Sequence, residues 1–152
     1  MKKVLLVAIA LLMVVGGSTF AKDAKKKLIT VGYAQVGAES DWRTANTESF
    51  KSTFTEANGY KLIFDDAQQK QENQIKAIRN FIQQDVDYIV VAPVVETGWE
   101  TVLKEAKDAG IPVILSDRQM KLSDNSLYTA WVGGNFLKEG QDAVAWLNDY
   151  VK

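Results

Sequence analysis

The sequence DYIVVAPVVETGWETVLKEAKDAGIPVILS, residues 87–116, decides the fold class. It begins with an apolar run over 87–92 and ends with another over 113–116, and short runs of this kind are typical of buried strands. Between them lies a predicted helix, capped by Thr97 and ended by Gly110 and Pro112. Its inner face has apolar residues at helical spacing: Trp99, Val102, Leu103 and Ala106. The segment is therefore a strand–helix–strand unit.

The same alternation extends to both sides of this segment. Further strands are predicted over 28–34, 60–64 and 127–132, and further helices over 40–57 and 70–83 and from Asn135 onward. Strands that alternate with helices pair in parallel through right-handed crossovers. Their nearly continuous apolar character indicates a sheet covered on both faces. We therefore predict the α/β class: a three-layer α/β/α sandwich with a parallel sheet in the order 2-1-3-4-5.

The last predicted helix is amphipathic, and we expect Leu137, Val144 and Leu147 to face inward. Three of the four tryptophans lie within apolar faces or strands. We expect them to be core residues: Trp99, Trp131 and Trp146.

The first 21 residues have the layout of a secretory signal peptide. Lys2 and Lys3 precede an apolar run over 4–15, glycine and serine follow, and 19–21 ends in Ala21. The run is shorter than the ~20 residues of a membrane-spanning helix, which argues against an anchor. We predict cleavage after Ala21, a flexible basic leader over 22–27 and one folded lobe over 28–152. Because the sequence has no cysteine, we expect neither a disulfide nor a lipid-modified N-terminus.

The composition argues against several functions. The formal net charge of −1 shows no basic excess, so we expect no nucleic-acid partner. Without histidine or cysteine the chain cannot form a Ser-His or Cys-His site or the common zinc sites. The loop over 32–37 lacks the lysine of a phosphate-binding loop. We predict no metal, no cofactor and no catalysis, although composition leaves a carboxylate pair for glycoside hydrolysis open.

A ligand of an open parallel sheet binds beyond the carboxyl ends of the strands. The loop after the first strand offers Trp42, whose flat ring suits the C–H face of a sugar. The donors and acceptors of a polyol site lie beside it and after the fourth strand: Glu39, Ser40, Arg43, Asp117 and Arg118. Three alternatives stay open: Trp42 packed on the sheet, Arg43 solvated on its helix, and Asp117 with Arg118 as a surface ion pair.

Four segments, 31–43, 68–77, 92–99 and 111–118, resemble the periplasmic sugar-binding proteins of ribose/galactose-type ABC transporters. Within that family the segments are most similar to its galactofuranose-binding members. The resemblance implies a clamshell in which Trp42 stacks on a monosaccharide and Arg43, Asp117 and Arg118 bind its hydroxyls. Many members have Asp-Asn after the fifth strand, where this chain has Gly134-Asn135. Members also have a second lobe, so this chain corresponds to the N-terminal lobe.

The resemblance implies a periplasmic protein that delivers a monosaccharide, galactofuranose or a related aldose, to an ABC permease in the inner membrane. Two alternatives remain: a sensing module that presents sugar to a chemoreceptor or membrane kinase, and a truncated fragment without function. A strand edge left uncovered by a missing lobe would also favour self-association.

Overall fold

The computed structural model describes residues 27–151 and contains five parallel strands with four α-helices. Short 3-10 turns lie at Glu56–Asn58 and Asn125–Leu127. The elements follow in the order β1 (Ile29–Gln35), α1 (Asp41–Thr53), β2 (Tyr60–Asp66), α2 (Gln71–Gln83), β3 (Tyr88–Val91), α3 (Glu100–Asp108), β4 (Val113–Ser116), β5 (Ala130–Val132) and α4 (Phe136–Tyr150).

The sheet order is β2-β1-β3-β4-β5, and every pair is parallel, as the sequence predicts. In the register, Ala34 of β1 lies opposite Asp65 of β2 and Val91 of β3. The carboxyl ends of the strands therefore meet at one edge of the sheet, where their loops can share a ligand.

The two faces of the sheet carry separate apolar clusters. One lies under α2 and α3 and includes Ile78, Phe81, Trp99 and Leu103. The other lies under α1 and is formed by Val31, Tyr33, Val36, Val90 and Ala92, with Phe50 and Phe54 against them. Gly32 allows α2 to approach closely, since a Cβ there would lie 2.5 Å from the Phe81 ring.

Several predicted boundaries differ from the structure, and three of the differences concern α1, α3 and β5. The first helix ends at Thr53 rather than continuing to Ala57, because a separate 3-10 turn precedes the left-handed Gly59 (φ 89°). Thr97 is not the cap of α3; Trp99 occupies that position, and no side chain caps the helix. The fifth strand begins at Ala130 rather than Leu127, because Leu127 belongs to the second 3-10 turn.

The prediction that α4 packs inward is wrong. No residue of α4 is buried, and the side chains expected inside are 50% to 75% exposed: Leu137, Val144, Trp146 and Leu147. The helix is amphipathic, but it follows β5 at one end of the sheet, and the two apolar clusters include none of its residues. Of the other tryptophans, Trp99 is fully buried and Trp131 is half-buried.

None of the described helices is long and apolar enough to cross a membrane. The predicted signal peptide over 1–21 and the leader up to residue 26 lie outside the described residues.

Candidate functional site

The β1–α1 loop and the first turn of α1 place four of the predicted site residues at the carboxyl edge of the sheet: Glu39, Ser40, Trp42 and Arg43. Ser40 caps α1, because its hydroxyl accepts a hydrogen bond from the backbone N–H of Arg43 at 3.2 Å. The helix therefore begins at Asp41, and Trp42 and Arg43 stand in its first turn, next to the end of β1.

Arg43 is the centre of the site and is only 2% exposed. Its Nε donates to Glu39 Oε1 at 3.1 Å, and its Nη2 donates to Asp117 Oδ2 at 2.7 Å. Burial alone would lower the pKa of Arg43, but the hydrogen bonds to Asp117 and Glu39 outweigh it and raise that pKa. Arg43 is thus a fixed cation between two carboxylates, and its interpretation as a solvated helix residue is wrong.

One donor of this guanidinium has no partner. Within residues 27–151, Nη1 of Arg43 is the one buried side-chain nitrogen or oxygen without a hydrogen bond. A buried donor left unsatisfied costs about 1–3 kcal/mol, so such groups normally meet a ligand or an ordered water. Nη1 of Arg43 is therefore a rigidly held, buried donor that lacks an acceptor among the described residues.

Arg118 lies beside the same two carboxylates but is more open, with a side chain 44% exposed. Its Nη2 is 3.7 Å from Glu39 Oε1, its Nε is 3.9 Å from Asp117 Oδ2, and its Nη1 donates to the Val94 carbonyl at 3.5 Å. Asp117 pairs with buried Arg43 as well as Arg118, so the two residues are not an isolated surface pair. The two arginines and the two carboxylates therefore form one ion-pair cluster: Glu39, Arg43, Asp117 and Arg118.

Trp42 is 57% exposed, so its interpretation as a residue packed on the sheet is wrong. Its ring centroid lies 4.8 Å from Cζ of Arg43. A flat apolar ring therefore stands directly beside the donors and acceptors of the ion-pair cluster.

Two buried glutamines hold the framework beneath these groups. Gln35 donates to Asn46 Oδ1 at 2.9 Å and to Thr47 Oγ1 at 3.1 Å, which ties α1 to the end of β1. Gln74 donates to the carbonyls of Ala34 and Ala92 at 3.1 and 2.6 Å and accepts from the N–H of Val94 at 2.9 Å. The sequence does not predict a role for Gln74, although this residue precedes Ile78 by one helical turn on the apolar face of α2.

Two cavities adjoin residues of the candidate site. A groove of about 380 Å³ includes Trp42 and Asp117 and continues over apolar side chains of α1 and the sheet: Phe50, Phe54, Val90, Ile114 and Val132. A larger cavity of about 830 Å³ includes Arg118 and Trp131, but Glu39, Trp42 and Arg43 do not line it. Each cavity thus reaches one member of the ion-pair cluster, Asp117 or Arg118, and of the two the smaller groove is the one that also includes Trp42.

In the part of the chain that the structure describes, no three side chains of Asp or Glu are grouped so that they could hold a metal ion. The carboxylates of Glu39 and Asp117 are engaged by arginines. The chemistry of the site is that of hydrogen bonding and stacking.

The model of the periplasmic binding protein domain matches residues 31–152. The chain belongs to the periplasmic binding protein family. The resemblance seen in the sequence is thereby confirmed, and the lobe with its parallel sheet is the fold that this family shares with its solved members.

Among relatives, the galactofuranose-binding protein YtfQ of Escherichia coli (strain K12) is 55% identical over 78% of this chain and 37% of that protein. A Mycobacterium smegmatis protein solved in complex with β-D-fucofuranose is 56% identical, with a TM-score of 0.76, over 80% of this chain and 40% of that one. The arabinose transporter's binding protein from Shewanella sp. ANA-3, bound to L-arabinofuranose, is 53% identical, with a TM-score of 0.77 and the same coverage. The chain thus spans about 40% of the length of these relatives.

Proposed function

We propose that this periplasmic binding protein lobe binds a monosaccharide and supplies it to a sugar ABC transporter. The observation that carries the proposal is the unpartnered Nη1 of buried Arg43, which stands beside the exposed ring of Trp42. A sugar supplies both complements at once, because its oxygens accept hydrogen bonds and its C–H face stacks on an aromatic ring.

The charge of the cluster supports a neutral ligand. Arg43 and Arg118 are matched by Glu39 and Asp117, so the four side chains sum to zero. A phosphorylated sugar or a sugar acid would bring an uncompensated anion against the two carboxylates. An uncharged polyol instead receives donors from the arginines and acceptors from the carboxylates.

The ligand class we propose is an aldose in its furanose form, galactofuranose or a close relative. Support comes from the three relatives described above, whose names or bound ligands are galactofuranose, fucofuranose and arabinofuranose. Each is more than 50% identical to this chain over the segment that contains the site.

The longer relatives suggest how the open side of the site would be covered. We propose that a second lobe of the kind implied by the family closes over Trp42 and Arg118. The lobe on its own leaves one side of a sugar in water, so we expect an affinity of about 1 mM, near −4.1 kcal/mol.

We also propose export with cleavage after Ala21, binding without turnover, and docking of the loaded protein on an inner-membrane permease.

Self-association through the edge of the sheet stays a prediction. In the described sheet β5 is one of the two edge strands, and its Val132 is 69% exposed. An uncovered edge of this kind can pair with another chain. Weak association appears at protein concentrations from about 10 μM to about 1 mM. If the edge pairs, light scattering over this range would show a molecular mass that rises with concentration.

The test is calorimetric titration of the purified chain with L-arabinose, D-galactose and D-fucose, with galactose 6-phosphate and galacturonate as charged controls. We expect heat from at least one neutral sugar and none from the charged controls. The matched control variant is Arg79→Ala, which removes an exposed arginine paired with Glu105 on the α2–α3 surface and should bind as the wild type does. Equal binding of neutral and charged sugars would contradict the proposal.

A further inference from the structure

The backbone of Asp117 is held in an unusual conformation. Its φ of 67° lies in the left-handed region, which residues other than glycine rarely adopt. Aspartate tolerates this region better than most residues, but such a conformation persists only where the surroundings fix it. Asp117 follows β4 directly, at the carboxyl edge of the sheet.

The contacts that fix this peptide come from β5, from the residue after it and from a local turn, in which the N–H of Arg118 donates to the Ser116 carbonyl at 2.8 Å. The N–H of Asp117 donates to the Val132 carbonyl at 2.8 Å, and the Asp117 carbonyl accepts from the indole Nε1 of Trp131 at 3.2 Å. A Cβ on Gly133 would lie 2.4 Å from the same carbonyl oxygen, so only glycine leaves it room. The two peptide groups of Asp117 are therefore held on both sides by β5 residues.

The Asp117 side chain then reaches the centre of the site. Its Oδ2 lies 2.7 Å from Nη2 of Arg43, and the Asp117 side chain is only 14% exposed. A rotation of the Asp117 peptide would move this carboxylate away from Arg43 and release the guanidinium whose Nη1 is unpartnered.

We propose that Trp131 is a positioning residue for the sugar site. Its indole N–H holds the Asp117 carbonyl in place, and the missing side chain of Gly133 leaves room for that carbonyl. The part of this proposal that concerns sugar affinity rests on the proposed function. The effect on Arg43 does not depend on a sugar, so the two can be tested apart.

The contribution of the Trp131 indole N–H can be tested separately from that of the ring. The Trp131 ring packs against the core cluster, and Trp131 lies opposite Leu115 in the sheet. Trp131→Phe keeps an aromatic ring there and removes only the donor and part of the volume. Gly133→Ala keeps the indole but places a Cβ 2.4 Å from the Asp117 carbonyl oxygen and 2.8 Å from Trp131 Nε1, so it crowds the same hydrogen bond.

The matched control is Trp99→Phe. Trp99 is fully buried, and its Nε1 also donates to a backbone carbonyl, that of Val95, at 2.8 Å. This variant therefore loses the same kind of hydrogen bond at a place that does not contact Asp117. A merely structural effect of losing an indole–carbonyl bond would appear in both phenylalanine variants.

The first readout is the NMR signal of the Arg43 Nε–Hε group in the sugar-free protein. We expect its hydrogen exchange to accelerate at least about tenfold in Trp131→Phe and in Gly133→Ala and to stay unchanged in Trp99→Phe. The second readout is sugar affinity by calorimetry, which should fall about three- to tenfold in the first two variants, as loss of one hydrogen bond implies.

An Arg43 signal that stays unchanged in Trp131→Phe and Gly133→Ala would overturn the proposal, as would an equal change in Trp99→Phe. If neither variant folds, the wild-type protein still decides. Its Trp131 indole N–H should exchange at least about tenfold more slowly than that of Trp146, which is 64% exposed, and equal rates would contradict the proposal. If the Arg43 signal changes as expected but the wild type itself binds no sugar, the proposed function alone is refuted.

Discussion

Arg43 and Asp117 are 74 residues apart in the sequence, yet Arg43 Nη2 and Asp117 Oδ2 are 2.7 Å apart in the structure. Arg43 stands in the first turn of α1, and Asp117 follows β4. The pair forms because parallel strands deliver both loops to one edge of the sheet. The pair is largely buried, so its geometry couples the stability of the lobe to the shape of the candidate site.

Removal of the Asp117 carboxylate should destabilise the lobe. Asp117→Ala leaves Arg43 buried with only Glu39 as its partner, and we expect a loss of about 2–3 kcal/mol in the free energy of unfolding. Asp117→Asn keeps a side chain that tolerates the left-handed backbone and should lose less, about 1–2 kcal/mol. Urea denaturation followed by circular dichroism measures both.

The control for this prediction is Asp108→Asn, which breaks the exposed i,i+4 pair with Lys104. Exposed pairs contribute about 0–1 kcal/mol, so this variant should stay within about 0.5 kcal/mol of the wild type. If Asp117→Ala were as stable as Asp108→Asn, the Arg43–Asp117 pair would have no energetic role in the fold.

Trp42→Ala should weaken sugar binding while the fold stays intact. The side chain is 57% exposed and stands beside Arg43, so its loss removes a stacking surface and little core packing. We expect an affinity lower by about tenfold or more, a change of about 1.4 kcal/mol. Trp146→Ala is the control, because Trp146 is similarly exposed on α4 and contacts Tyr150 instead.

Arg118→Ala should also weaken sugar binding, by a different route. Its guanidinium is 44% exposed and lies within 4 Å of Glu39 and Asp117 without the short hydrogen bonds that Arg43 makes. We therefore expect a loss of affinity of about tenfold with a melting temperature within a few degrees of the wild type. Calorimetry and thermal denaturation on the same sample separate the two effects, and an unchanged affinity would place the sugar elsewhere.

The sequence predicts the strands and their order well, because buried parallel strands are continuous apolar runs that only a covered sheet accommodates. It also predicts the edge at which Arg43 and Asp117 lie, since that follows from topology. Periodicity cannot say what covers an apolar face, and for this reason α4 was expected to pack inward although Leu137 is 75% exposed. The role of Gln74 was missed because a buried glutamine depends on backbone groups of β1 and β3 that no sequence pattern shows.

Gln74→Leu should destabilise the lobe by about 3 kcal/mol. The side chain is fully buried and satisfies the carbonyls of Ala34 and Ala92 and the N–H of Val94, and leucine would leave these three groups without that partner. Gln83→Leu is the control, because Gln83 is exposed on the same helix and its loss should change stability by less than about 0.5 kcal/mol. Equal stability of the two variants in urea would show that the hydrogen bonds of Gln74 contribute nothing net.

Tyr33 makes the stability of the lobe sensitive to alkaline pH. The side chain is fully buried under α1, and its hydroxyl donates to Asn46 Oδ1 at 2.8 Å. Burial raises its pKa from 10.0 to about 12. Because the unfolded chain releases this proton near pH 10 and the folded chain keeps it until about pH 12, the unfolded state binds fewer protons between these values.

The stabilisation from Tyr33 is therefore fully present below pH 10 and is lost as the pH rises through about 12. A shift of this size corresponds to about 2–3 kcal/mol. The measurement is the difference in urea midpoint between the wild type and Tyr33→Phe from about pH 8 to about pH 12, because this difference cancels the groups that the two proteins share. Tyr33→Phe loses the bond to Asn46 at every pH but lacks the ionising group, so its disadvantage should shrink above pH 10. A difference that stays constant with pH would mean that Tyr33 ionises as easily in the folded lobe as in the unfolded chain.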